Sequence, residues 1–356
     1  MATVEPSQDL AVVRLKTPYK KFLEQEGVPV HTGYYIEDLR TLEVQPWPRM
    51  GALGAYLLLE GTDEQDDAYV LEIQPGKSAK PERHLYEELI YILQGRGATT
   101  VWTDAGKKQT FEWQAGSLFS PPLNAWHQHF NGSGSEPARF VAVTNAPVFI
   151  NLIRDLDFVF NNDHVFRDRF ADEENYFSAK GRSIGKRFWE TNFVADVPSF
   201  ALEEYKERGE GSTNMKFEMS NNTLIAHASE FQVGKYKKAH RHGPGAHVII
   251  VSGQGYSLMW PEGANWKKFD WHAGSVIVPP EMWYHQHFNT GNAPARYLAL
   301  RWGSHKHPMG GKQYSTYLAL KSGEDQIEIE DQDPEIHRLF EQECARSGVK
   351  VATKVA

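Results

Sequence analysis

Residues 274–289 read GSVIVPPEMWYHQHFN, and residues 116–131 read GSLFSPPLNAWHQHFN. A constant offset of 158 relates them. It holds without a gap from 76–131 to 234–289, giving 21 identical pairs in 56. Chance would give only a few, so the chain contains one module twice. Within each copy, β-type runs such as 88–93 (ELIYIL) and 248–251 (VIIV) alternate with turns at Pro75-Gly76, Gly95-Arg96-Gly97 and Pro121-Pro122. Short strands at regular spacing with Gly/Pro turns predict an antiparallel sandwich or barrel. Helical periodicity is missing from both copies.

The 356 residues suffice for two domains, and 40% are apolar, enough for real cores. A net charge of −8 argues against a nucleic-acid surface. The one cysteine, Cys344, excludes an intrachain disulfide and thiolate clusters, so any metal site must use nitrogen and oxygen. Its place near the end of a C-terminal helix marks a bystander rather than a nucleophile. Neither a signal-peptide core nor a run of membrane-spanning length is present, so a cytoplasmic protein with no membrane partner is expected. Residues 149–200 are too aromatic for a free linker and should pack on the modules or on a second subunit. Residues 203–214 (EEYKERGEGSTN) read as an exposed loop. Asp333 as cap, Pro334 in the first turn and Gly348 as stop define a final helix. The expected division is an N-terminal module over 1–160, a linker over 161–200, a C-terminal module over 201–325, and a helix and tail over 326–356.

In the second copy, His240 and His242 share a strand face because residues i and i+2 point the same way. His285, arriving on a later strand, can complete a triad. Three neutral imidazoles leave the other coordination positions of an ion open, as a catalytic metal requires. The first copy offers Glu82, His84, Glu88 and His127 as a second site. Glu82 stands in for His240, and Ala246 takes the place of Glu88. His247 is out of phase with His242, and only a bulge at Gly243-Pro244-Gly245 would turn it inward. His129 and His287 share the faces of His127 and His285, as outer donors or as barrel filling. Trp102, Trp113, Trp260 and Trp271 recur as core.

This pattern resembles the cupin superfamily, whose motifs are G-x5-H-x-H-x3/4-E-x6-G and G-x5-P-x-G-x2-H-x3-N. Gly76, His84, Glu88 and Gly95 fit the first motif, and Gly116, Pro122, His127 and Asn131 the second. Gly234, His240, His242 and Gly253, then Gly274, Pro280, His285 and Asn289, fit them again. Departures are Glu82 for histidine, Ala246 for glutamate, and Asn124 and Met282 for glycine. The resemblance implies an all-β fold of two tandem cupin barrels (double-stranded β-helix, or jelly-roll) with a few peripheral helices. A narrower resemblance, carried by the His240–His242 run with Ala246 and the His-x-His-x-Asn ending, is to the gentisate 1,2-dioxygenase group of bicupins. It implies an Fe(II)-dependent, oxygen-using, ring-cleaving enzyme that degrades hydroxylated aromatic carboxylates.

Charge favours the second copy. Three neutral ligands leave a divalent ion at full charge for an anionic chelate, whereas Glu82 and Glu88 would cancel it. The expected main metal ligands are therefore His240, His242 and His285, with Glu82, His84, Glu88 and His127 as a possible second site. His287 and Gln286 would position protons or substrate, and Arg301 would bind a carboxylate. The expected activity is a dioxygenase taking an aromatic substrate and O2 at Fe(II), in a homodimer or homotetramer. The alternative is a non-oxidative bicupin (decarboxylase, lyase, isomerase or hydrolase) using Mn(II), Ni(II) or Zn(II) as Lewis acid.

Overall fold

Alternating side chains give each strand one face for a barrel interior and one for the outside, and the chain uses this twice. The computed structural model describes residues 16–243, 245–309 and 325–353. In the first half, Ala52–Leu57, Asp67–Ile73, Ala138–Thr144 and Glu88–Gln94 lie side by side in one sheet. Trp126–Asn131, Arg96–Trp102 and Gln109–Gln114 form the facing sheet. The second half repeats this: Thr213–Glu218, Leu224–Phe231, Ala295–Trp302 and His247–Ser252 face Lys267–His272, Gln254–Trp260 and Tyr284–Asn289. The expected pair of barrels is what forms.

The duplicated turns have a steric cause. Gly95 and Gly253 hold φ +85° and +88°, and a Cβ there would lie 2.7 Å from Ala138 Cα or Ala295 Cα. Asn124 and Met282, standing where the motif has glycine, keep its left-handed backbone at φ 58° and 57°. Asn124 adapts by donating through Nδ2 to the carbonyls of Asn162 and His164 at 3.0 and 2.8 Å.

Symmetry continues beyond the aligned blocks. Arg139 reaches Glu72 and the carbonyls of Leu39 and Leu42, and Arg296 reaches Glu230 and those of Val197 and Phe200. The arms that supply those carbonyls are exchanged. Tyr35–Ile36 pairs with Val276–Ile277 in the second barrel, and Phe193–Val194 pairs with Leu118–Phe119 in the first. Matching bonds clamp both arms, Leu39 N to Gly274 O and Val197 N to Gly116 O, each 2.9 Å.

One apolar cluster, including Leu57, Val70, Leu89, Phe217, Ile249 and Leu300, runs through both halves. At this seam the buried Glu87 carboxylate accepts from Thr223 N, Thr223 Oγ1 and Leu224 N at 2.8, 2.6 and 3.0 Å. Residues 149–200 pack largely on the first barrel, where Phe170, Phe177 and Phe193 join the core. The final helix, Pro334–Arg346, is capped by Asp333 as expected, and Gly348 follows it at φ +68°. It lays Ile336, Phe340 and Cys344 against the outside of the second barrel. Burial pushes the Cys344 thiol up to about 11, so it is inert at neutral pH.

Candidate metal centres

Each barrel gathers a set of donors in its interior. His240, His242 and His285 form one group, and Glu82, His84 and His127 form another; within each, the donor atoms all lie within 4.8 Å of one another.

The tautomers decide which histidines can be ligands. In the first barrel, Nδ1 of His84 and His127 faces the carbonyls of Tyr86 and Ala125 at 2.8 and 3.1 Å. In the second, Nδ1 of His240, His242 and His285 faces the carbonyls of Lys238, Gly243 and Trp283 at 3.3, 2.9 and 3.3 Å. A carbonyl only accepts, so each Nδ1 carries the proton and each Nε2 turns its lone pair inward. His129 and His287 face hydroxyls instead. Trp113 and Trp271 donate to Thr99 Oγ1 and Ser257 Oγ at 2.9 and 3.0 Å. Those hydroxyls lie 2.8 and 2.7 Å from Nδ1 of His129 and His287. A hydroxyl has one hydrogen and two lone pairs, so it can give its hydrogen to Nδ1 or accept from it. Where it gives, Nε2 carries the ring proton and the two rings are inward donors rather than ligands.

In the first barrel, Nε2 of His84 and of His127 lies 3.7 Å from Glu88 Oε2, and His127 Nε2 is also 3.7 Å from Glu82 Oε1. These separations are too long for hydrogen bonds. The two Nε2 atoms and Glu88 Oε2 are buried without a hydrogen-bond partner. Donors around one first-row divalent ion stand about 3.0–3.5 Å apart, so the set fits a cation. Tyr69 donates to Glu88 Oε1, and Arg49 donates to Glu82 Oε2 at 2.7 Å. Burial alone would raise the Glu82 carboxyl, but Arg49 and the imidazoles outweigh it and hold it well below its ordinary value. Burial alone would lower His127, but Glu82 and Glu88 outweigh it and raise it. The surroundings are aromatic: Trp47, Tyr56, Tyr69 and Phe140 line the core. Helix Pro18–Glu26 adds Phe22, stacked on Phe160 at 5.6 Å, and Tyr19, whose hydroxyl donates to Asp67.

The second barrel opens into a cavity lined by the triad together with His287 and Arg301, as the sequence predicts, and by side chains it does not single out. Ala246 lines it, and no Asp or Glu does. Burial drives His285 down to about 3, and burial with Arg208 or Arg301 nearby lowers His240 and His242 well below their ordinary value. All three are neutral at pH 7. The triad thus passes the same test: three inward lone pairs on uncharged rings, in a buried site able to accept a divalent ion.

Two expectations need correction. Gln286 does not reach the cavity. The strand turns it to the outer face, where Nε2 donates to Lys237 O at 2.8 Å and Gln332 Oε1 at 3.1 Å. Residues 203–214 are not simply an exposed loop, because Tyr205 and the buried Arg208 line the cavity. His247 stays out of the triad. Ala246 and Val248 on either side line the cavity, and His247 is buried with Nδ1 at Gly245 O, 3.1 Å away.

The sequence reading missed the cations of the cavity wall, Arg208, Lys216 and Lys237. Lys237 had a visible signal: it is a lysine at the repeat position of Ala79, and both backbone NH groups bond the matching histidine carbonyl. Its Nζ donates to Ser229 Oγ and lies 3.1 Å from Tyr297 OH. Burial would raise the Tyr297 phenol, but Lys237 outweighs it and lowers the phenol.

Residues 69–144 match the family profile described as "Cupin domain". No curated protein matches the chain. A single-substitution variant of oxalate decarboxylase from B. subtilis matches with TM-score 0.50 and 14% identity over 76% of this chain and 78% of that one. A Bacillus subtilis oxalate decarboxylase from work on its Mn(II) centres matches with TM-score 0.50 and 15% identity over 77% and 78%. A third structure, concerned with substrate binding mode and a reaction specificity switch in oxalate decarboxylase, matches with TM-score 0.50 and 15% identity over 85% and 86%. At these identities the likeness establishes the fold, two cupin barrels in one chain. It does not single out the gentisate dioxygenase group. Among the described residues, no helix is long and apolar enough to cross a membrane.

Proposed function

We propose that the protein is a metal-dependent enzyme whose working centre is the second barrel, and that it transforms a small organic anion without net oxidation, by decarboxylation or a related lyase step. The carrying observation is the cavity itself. Three inward imidazole lone pairs meet Arg208, Lys216, Lys237 and Arg301 in one space with no lining carboxylate. Such a wall attracts an anion and stabilises negative charge that grows during reaction. A divalent ion on His240, His242 and His285 would supply a Lewis acid for a substrate oxygen. The fold neighbours named as oxalate decarboxylases, one with Mn(II) centres, support this over the ring-cleaving reading.

The chain's own groups fit the proton needs of decarboxylation. Loss of CO2 leaves an electron pair on carbon, and one proton must replace the lost carboxylate. Tyr297 OH, paired with Lys237 Nζ, is a hydroxyl in the cavity able to deliver that proton, and Lys237 stabilises the phenolate that remains. In the tautomer whose Nδ1 accepts from Ser257, His287 presents Nε2–H from the neighbouring position, its ring centroid 5.2 Å from that of Tyr297.

The first barrel is read as a closed site for a hard cation such as Mn(II), because two carboxylates share the donor set. A second reading, a dioxygenase of hydroxylated aromatic carboxylates using Fe(II) and O2, is favoured by Ala246, whose methyl replaces a carboxylate and leaves an all-imidazole set. Elemental analysis of the purified protein, followed by a carboxylate screen under argon and under air, separates the two. The non-oxidative reading expects CO2 release under argon. Oxygen consumed in step with product would replace it by the dioxygenase reading.

A further inference from the structure

Arg208, Lys216 and Arg301 come from three separate stretches of chain and meet in the same cavity. Arg301 is 6% exposed, and its Nε is buried without a hydrogen-bond partner. Arg208 is 7% exposed, and its bond at 2.7 Å goes to the uncharged Gln326 Oε1. Lys216 is half-buried, with Nζ 4.6 Å from the Phe188 ring centroid. Among the described residues no carboxylate lies within 4.0 Å of any of the three, whereas the other two buried arginines, Arg139 and Arg296, each pair with a glutamate. Burying one unpaired guanidinium is costly. Assembling three cations that repel one another costs more, and burial with Arg301 beside it pulls Lys216 down to about 7. A wall of this kind persists where an anion completes it.

We infer that Arg208, Lys216 and Arg301 form an oxyanion subsite separate from the metal triad, and that the substrate is therefore a diacid: one acidic group goes to the metal and a second, a carboxylate or phosphate, goes to these three cations. The inference rests on the catalytic reading of this cavity and names its substrate class. Charge sets the requirement. The triad adds no negative charge to a divalent ion, and two guanidiniums and a partly protonated Lys216 stand beside it, so a single carboxylate would leave most of the positive charge uncompensated. Arg301 and Arg208 both present planar forks that match two oxygens of one group. Lys216 adds a point charge from the same sheet as Arg301, two strands away.

Inorganic phosphate, malonate and acetate are titrated calorimetrically into the full chain at low ionic strength, before and after chelation of its metal. The expected result is one site per chain for phosphate or malonate, at least about tenfold tighter than acetate and still present after chelation. Preference for phosphate over malonate assigns a phosphorylated acid, and the reverse assigns a dicarboxylate. Arg301→Gln should weaken binding by about tenfold or more, and Lys216→Met by several-fold, whereas His242→Ala should leave binding to the chelated protein unchanged. Lys216→Met, at a half-buried position, carries the test if Arg301→Gln fails to fold. Acetate binding as tightly as the dianions, or both cation variants binding like the parent, overturns the subsite. Dianion binding without turnover of any acid would instead leave the subsite standing and remove the catalytic reading.

Discussion

The two barrels put different chemistry on one backbone lattice. Strand register and matching hydrogen bonds align Met50, Tyr56, Tyr69, Ala79 and Thr144 of the first with Arg208, Lys216, His227, Lys237 and Arg301 of the second. In the first barrel Thr144 and Tyr19 both bond Asp67, and a helix closes the aromatic interior. In the second, Ile225 stands at the Asp67 position and Arg301 faces the cavity. The ligands change in step: Glu82 and Glu88 are matched by His240 and Ala246. Walls and ligands together make one site self-neutralising and filled, the other a small cationic cavity of about 50 Å³. Duplication kept the scaffold and let a few side chains divide holding a cation from binding an anion.

The sharpest way to break this division is to remove one imidazole from each barrel. His242→Ala should abolish turnover and lower metal content by one site, while His84→Ala should spare much of the turnover. The opposite ranking, read from kcat and elemental analysis together, would reverse the assignment. Tyr297→Phe comes next. It should cut kcat by about 10²–10⁴-fold with little change in KM, since it removes one hydroxyl and leaves the cations. A large rise in KM with kcat intact would make Tyr297 a binding group instead.

Stability sharpens the contrast at a smaller scale. Arg49→Met should destabilise the chelated protein by about 3 kcal/mol, because it strands the Glu82 and Glu26 carboxylates. Urea denaturation would read this, and an unchanged midpoint would show Arg49 to be dispensable. Acid should reach the two barrels at different pH. Burial holds folded-state His285 at about 3, below its ordinary 6.5. The unfolded chain therefore takes up the proton first, and stability falls as pH drops below 6.5, by up to about 1.4 kcal/mol per unit. Glu82 is lowered from 4.5, so its contribution is complete above that value and is lost only as pH falls beneath it. Denaturation of chelated protein at pH 7, 5.5 and 4 should show the histidine loss first, and His285→Gln should flatten the upper part of the curve. Cys344→Ser should do least: about 1 kcal/mol of stability and no activity.

Both barrels, the triad and the four donors of the first site are legible in the sequence because identical residues at one offset mark strands, turns and ligands together. Most of the cation wall is not: Arg301 at a strand end stands out, but Arg208 and Lys216 lie outside the 56-residue blocks, where identity fades but the sheet register persists. Arg208 hides in a charged, Gly-containing stretch that reads as solvent-exposed, and only its fold-back into the cavity reveals its role. Gln286 misled for the opposite reason. Its identity with Gln128 is shared, but both side chains serve backbone carbonyls, at Lys237 and Ala79. The exchanged arms were invisible because Tyr35–Ile36 and Phe193–Val194 share hydrophobicity rather than identity.

Those arms have a consequence for taking the molecule apart. Severed between its halves, the chain would leave each piece without the last strand of its own sheet and with a spare strand dangling. A bare strand edge recruits whatever complementary segment it meets, so isolated pieces should re-pair with each other or with their own copies. The two centres, unlike in chemistry, are thus bound to be made, folded and degraded as one object.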